Sequence, residues 1–200
     1  QHRHLATEIG QAARLAAGFA YLATLENEKY AISLFCKKLY PGEPKRGRRN
    51  LFQTITLLDR ISPRGGTGLL AIADQVESLL KTTSLVVLIS DLLGETDDVL
   101  SSIYRLSGHE LVVIQVLAPQ ETELSFGGDV KFVDLESGLS LVTRVTEGER
   151  AEYLKRLTEH NEKIRAACNQ VGANYFLVQT DRPIFDAFSE MLTRAVVWKT

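Results

Sequence analysis

The chain has 200 residues, 44% of them hydrophobic, and a formal net charge of −2 from 23 basic and 25 acidic side chains. That length allows one domain with a sizeable core, and the balanced charge gives no drive toward nucleic acid or an anionic membrane. Two cysteines, Cys36 and Cys168, sit in apolar patterns and read as buried small hydrophobes, not as a disulfide framework.

No stretch approaches the ~18 apolar residues of a membrane span, and no signal peptide is visible. The expectation is a cytoplasmic protein with no membrane span in this chain. The chain starts at Gln1 and enters a helix almost at once, so it reads as a fragment.

Leu5, Ile9, Ala12, Ala13, Ala16, Phe19, Ala20 and Ala23 recur at helical spacing and predict a helix over 5–24. Its small residues suit close approach to a sheet. Tyr30 to Cys36 reads as a strand, and Leu39-Tyr40 as a short edge strand inside a polar loop over 37–49. A second helix is expected over 48–61, with Leu51, Ile55, Leu58 and Ile61 on one face. Arg64-Gly65-Gly66-Thr67-Gly68 is a glycine-rich turn that feeds a third helix starting at Thr67. The apolar run Leu85 to Ile89 ends on Ser90-Asp91 and reads as a strand buried on both faces.

Asp97 and Asp98 then cap a helix that Gly108 stops, and Leu111 to Leu117 is another buried strand. Residues 127–145 read as a β-hairpin about a Glu136-Ser137-Gly138 turn. A long helix spans 147–171. Tyr175 to Val178 is a strand, and Asp181 caps a last helix packing Phe185, Phe188 and Leu192. Strands alternating with helices predict an α/β fold, a doubly wound and mainly parallel sheet with helices on both faces. The hairpin near 129–145 is an insertion or an antiparallel edge. There are no repeats or linkers, so residues 1–200 form a single domain.

Ligands of such sheets sit outside the carboxyl ends of the strands, where Asp91 stands. Lys45-Arg46-Gly47-Arg48-Arg49 is the basic cluster of the chain. It reads as a solvated helix start or as a docking patch for an acidic partner. The four histidines show no zinc spacing. No nucleophile elbow, Walker A lysine or dinucleotide fingerprint is present.

The order and spacing of several segments carry a family resemblance. They are Phe19-Ala20-Tyr21-Leu22-Ala23, Arg46-Gly47-Arg48-Arg49-Asn50-Leu51, Gly65-Gly66-Thr67-Gly68-Leu69, Val87-Leu88-Ile89-Ser90-Asp91, Asp134-Leu135-Glu136-Ser137-Gly138 and Gln179-Thr180-Asp181-Arg182-Pro183. The chain resembles the C-terminal two-thirds of a bacterial family of uncharacterised proteins. Members carry a von Willebrand factor A-like (Rossmann-like) domain and are commonly encoded beside MoxR-type AAA+ ATPases.

The resemblance implies a metal-ion-dependent adhesion site. There an Asp-x-Ser-x-Ser loop, a threonine and an aspartate hold one Mg²⁺ at the sheet end. Thr67 matches the threonine and Asp91 the aspartate. The first strand and the Asp-x-Ser-x-Ser loop are missing from this chain. The family's usual aspartate before a proline is Ala118 here.

The expected function is therefore a non-enzymatic protein–protein interaction module. It would use Thr67 and Asp91 toward Mg²⁺, with Gly66, Gly68, Arg46, Arg48 and Arg49 toward a partner, a MoxR-type ATPase being the one the resemblance implies. The alternative is a metal-dependent hydrolase or phosphate-binding enzyme using the cleft near Asp91. Without the first strand, the segments at 30–36 and 84–90 should flank a gap of about two strand spacings, ~10 Å.

Overall fold

The computed structural model describes residues 2–61, 68–123, 128–133 and 140–194. Seven helices and seven strands are present among them. Helix α1 (His2–Leu25) opens the chain. Strands β1 (Leu34–Phe35) and β2 (Leu39–Tyr40) pair antiparallel, and α2 (Arg48–Asp59) and α3 (Leu69–Leu79) follow. Next come β3 (Leu85–Ser90), α4 (Thr96–Leu106), β4 (Glu110–Leu117) and the short α5 (Pro119–Glu123). Strands β5 (Gly128–Val133) and β6 (Ser140–Val145) form the expected antiparallel hairpin, its turn lying outside the described residues. Helix α6 (Glu147–Gln170), β7 (Asn174–Gln179) and α7 (Ile184–Arg194) complete the order.

The main sheet has three parallel strands in the order β3-β4-β7. β4 is central, and every residue from Leu111 to Leu117 is buried, in keeping with a run that is apolar except for Gln115. Side chains alternate between its faces. Leu111 and Val113 join Leu69, Ala73, Val99, Ile103, Ile164 and Cys168, from α3, α4 and α6. Val112, Ile114 and Val116 join Leu15, Phe19, Ala187 and Met191, from α1 and α7. Helices therefore cover both faces of the sheet. Among the described residues no helix is long and apolar enough to cross a membrane.

Helix α1 lies close to α7 because residue 18 is glycine. A Cβ there would stand 2.8 Å from Phe188 Cε2, and Phe188 meets Phe19 edge to face at 5.1 Å between ring centres. Helix α6 begins with a full capping box. The Thr146 hydroxyl accepts from the Glu149 N–H, and the Glu149 carboxylate accepts from the Thr146 N–H. Cys168 is fully buried and its thiol is pushed up to about 12 by that burial, as a packing residue would be.

Several expectations need correction. The strand at 30–36 shrinks to Leu34–Phe35 plus one bridge from Tyr30 to Lys45. Its one ladder neighbour among the described residues is β2, and no ladder joins it to β3. β3 likewise has β4 as its single ladder partner there. Helix α3 begins at Leu69 with Gly68 as its N-cap, and Thr67 lies outside the described residues. Helix α4 starts one residue before Asp97, and its N-cap is Glu95. Ile55 and Phe185, expected to pack inward, are 45% and 79% exposed. In α2 the packed residues are Thr54 and Leu58, a narrower stripe that leaves Ile55 at its margin.

Candidate functional site

The carboxyl end of β3 carries Ser90, and the chain turns outward at Asp91, which is exposed. The Ser90 hydroxyl donates to Asp91 Oδ1 at 3.3 Å and accepts from the Leu92 N–H at 3.3 Å. The Leu93 N–H also donates to Oδ1, at 3.4 Å. One carboxylate oxygen is thus oriented by its own loop. Oδ2 has no hydrogen bond from the described residues.

Leu92 holds a left-handed backbone, φ 54°, while its side chain is fully buried. That conformation costs a non-glycine residue ~1–2 kcal/mol, which the buried leucine offsets. Two distant residues hold the same turn. From α6, His160 Nε2 meets the Leu92 carbonyl at 2.6 Å and Nδ1 meets the Thr96 hydroxyl at 2.8 Å. A carbonyl only accepts, so Nε2 carries the proton and a neutral ring accepts from Thr96 through Nδ1.

From β4, the buried Gln115 donates through Nε2 to the Asp91 carbonyl at 2.9 Å. Its Oε1 accepts from the Tyr175 hydroxyl at 2.5 Å. Burial pushes the Tyr175 phenol up to about 12, with the nearby Arg165 opposing. The Arg165 guanidinium sits 5.6 Å from the Tyr175 ring centre.

The neighbouring strand end adds two more carboxyls. The Ala118 N–H, just past β4, is shared between Glu8 Oε1 at 3.1 Å and Glu121 Oε2 at 3.0 Å. Glu8 is only 7% exposed. Its carboxyl is pushed up to about 8, first by burial, then by its hydrogen bond to Glu121 and the charge there. The Ala118 N–H pulls the other way, and the charge of Asp91 adds a smaller upward push. Burial and the neighbouring Glu121 carboxyl thus favour the protonated form of Glu8. Tyr153 of α6 faces the same pair and is raised by burial and by both glutamates.

Mg²⁺ takes about six hard oxygen ligands in near-octahedral geometry. Asp91 has the right donor type and an accessible oxygen. It would supply one ligand position, and among the described residues no group of three or more His, Cys, Asp or Glu is placed to hold a metal. The described residues thus fit part of a Mg²⁺ shell and do not complete it. Gly66 and Thr67 lie outside the described residues, and Gly68 caps α3. Arg46, Arg48 and Arg49 are exposed at the start of α2. Two surface depressions stand out, one along α2 and one between α6, β7 and α7, and neither includes Asp91.

Asp91 was visible in sequence as the end of an apolar run. Its supports were not. Gln115 carried a signal, a lone amide inside Leu111–Leu117, since a polar side chain buried in a central strand must be hydrogen-bonded. Glu8 and His160 sit in ordinary helical patterns and carried none.

The chain is similar to uncharacterized proteins of mycobacteria. It is 27% identical to Mb1516 of Mycobacterium bovis over 139 residues, 69% of this chain and 44% of that protein. It is 27% identical to MAV169 of Mycobacterium avium over 143 residues, 70% of this chain and 85% of that protein. The chain thus spans less than half the length of Mb1516, and of Rv1480 of Mycobacterium tuberculosis, matched with the same figures.

Among solved structures it shares its fold with the conserved hypothetical protein BatB of Bacteroides thetaiotaomicron. The TM-score is 0.54 at 16% identity, covering 94% of this chain and 88% of BatB. The profile of one family matches residues 5–163, well over half the chain, and the chain belongs to that family, the proteins of unknown function DUF58.

Proposed function

We propose that this chain is a von Willebrand factor A-like interaction module whose sheet end, at Asp91, engages a partner protein through Mg²⁺. The observation that carries this reading is the presentation of Asp91. An exposed carboxylate stands at the carboxyl end of a parallel strand, on a turn fixed by Gln115, Ser90 and His160. Fixing one ligand this firmly lowers the ordering cost of recruiting the others.

Thr67 and Asp91 would supply two oxygens to the ion, and further oxygens would come from residues beyond these two. Bound there, Mg²⁺ would offer an open position to a partner's carboxylate. A MoxR-type AAA+ ATPase is the partner proposed, on the strength of the resemblance carried by Gly65 to Leu69 and Val87 to Asp91.

The test is Asp91→Ala in the full-length protein, read by Mg²⁺ titration and by capture of the ATPase. Loss of Mg²⁺-dependent capture by about tenfold or more, some 1.4 kcal/mol, is the expected result. Unchanged Mg²⁺ binding and unchanged capture would refute the reading.

A further inference from the structure

We propose that the outward face of α2, formed by Arg48, Arg49 and Phe52 with Arg46 just before it, docks an acidic segment of a partner protein, separately from the Asp91 end. Helix α2 buries Thr54 and Leu58 on one side. On the opposite side Arg48, Arg49, Phe52, Gln53 and Thr56 line an open depression. Spacings of one, four, five and eight residues put all five on one helical face.

Phe52 is 69% exposed in the middle of this face. Residues 45–60 hold five basic side chains and one acidic one, in a chain whose net charge is −2. Lys45 is paired with Glu43 at 2.7 Å. Arg46, Arg48 and Arg49 have no carboxylate within 4.0 Å among the described residues.

The placement of these arginines also runs against helix electrostatics. Arg48 and Arg49 are the first two residues of α2, at the positive end of its dipole, where cations are unfavourable. The N-cap is Gly47, at φ 86°, with no side-chain cap, and the first turn has no acidic residue. No described residue supplies a negative group to this helix start. A partner's carboxylates would satisfy the guanidiniums and the helix end together, while an aliphatic side chain covers Phe52.

Arginine around one exposed aromatic is the composition of protein-binding hot spots. A membrane-surface helix would need a broad apolar face, whereas in this depression Phe52 stands among Arg48, Arg49, Gln53 and Thr56, and the half-exposed Ile55 and Leu57 do not line it. The occupant is therefore a protein segment with two or more carboxylates beside an aliphatic anchor.

The test is a selection of 12-residue displayed peptides on the full-length protein, repeated with Arg48→Glu/Arg49→Glu, Phe52→Ser and Asp91→Ala. The double glutamate variant places acids at a helix start, where they favour the helix, so it folds. Circular dichroism checks this. The expected result is enrichment of peptides rich in Asp and Glu with an aliphatic residue. Binding should weaken about tenfold or more in both α2 variants, weaken with added salt, and persist in Asp91→Ala.

Recovery of peptides without acidic bias, or acidic peptides that bind the α2 variants equally well, overturns the proposal. So does α2-dependent sedimentation with vesicles of three parts phosphatidylcholine to one part phosphatidylglycerol. Self-association that disappears in the α2 variants would assign the face to a second copy and overturn it as well.

Discussion

The sheet end at Asp91 and the outward face of α2 are built in opposite ways. The sheet end draws Glu8, Asp91, Gln115, Glu121 and His160 from five separate elements and ties them together by hydrogen bonds, with Glu8 and Gln115 buried. The α2 face comes from one stretch, residues 46–56, and leaves its charges in solvent. The first is a shaped, rigid structure with little freedom to substitute. The second is a charge pattern laid on a helix that packs through its other side. Mutations should therefore destabilise the fold at the sheet end and do the reverse on α2.

The largest effect is expected beneath the sheet end. Ile164 of α6 is fully buried in the cluster with Leu88, Ile103 and Val113. Ile164→Ala should cost about 2–5 kcal/mol in denaturant unfolding. The next concerns Glu8. Its carboxyl is raised from 4.5 to about 8 on folding, so the folded chain holds that proton more tightly than the unfolded chain.

The stability this confers is complete below pH 4.5, declines as pH rises from 4.5 to 8, and is gone above that. Melting temperature should fall between pH 5 and pH 8, and Glu8→Gln should remove most of the fall. A wild-type profile that rises over this interval would contradict the protonated-glutamate arrangement.

Gln115→Leu comes third. It strands the Tyr175 hydroxyl and the Asp91 carbonyl, at about 1–3 kcal/mol, and the Asp91 turn should show faster amide exchange. The smallest effect has the opposite sign. Arg48→Glu or Arg49→Glu should stabilise the free protein by about 0.3–1 kcal/mol each at low salt, the increment fading as salt is added. Destabilisation by these two substitutions would erase the contrast between the regions.

The same contrast explains how much was legible in the sequence. The run Leu85 to Ile89 ending at Asp91, the helix starting at Glu147 and the hairpin near 129–145 follow from periodicity and turn chemistry, which act over a few residues. The basic start of α2 was equally plain, because all of it is local. The supports of Asp91 were not legible: Gln115 is 24 residues away, His160 lies 68 from Leu92, and Glu8 lies 110 from Ala118. Nothing in local pattern ties such residues together.

Ile55 and Phe185 were misjudged for a related reason. Helical spacing says which side chains share a face, and the neighbour decides how wide that face becomes. The segment at 30–36 reads as a full strand by composition, yet composition supplies no ladder partner, and only Leu34–Phe35 and the Tyr30 bridge remain paired.

One consequence of His160 is mechanical. Helix α6 is a stiff rod that takes its cap from Thr146, directly after the β5–β6 hairpin, and grips the Asp91 turn at His160. The two points are ~20 Å apart along the rod at 1.5 Å per residue. A pull on the hairpin along that axis would reach Leu92 both through the His160 imidazole and through the core that Leu92 shares with Ile164, so force applied at the far end of α6 is felt at the turn that carries the carboxylate.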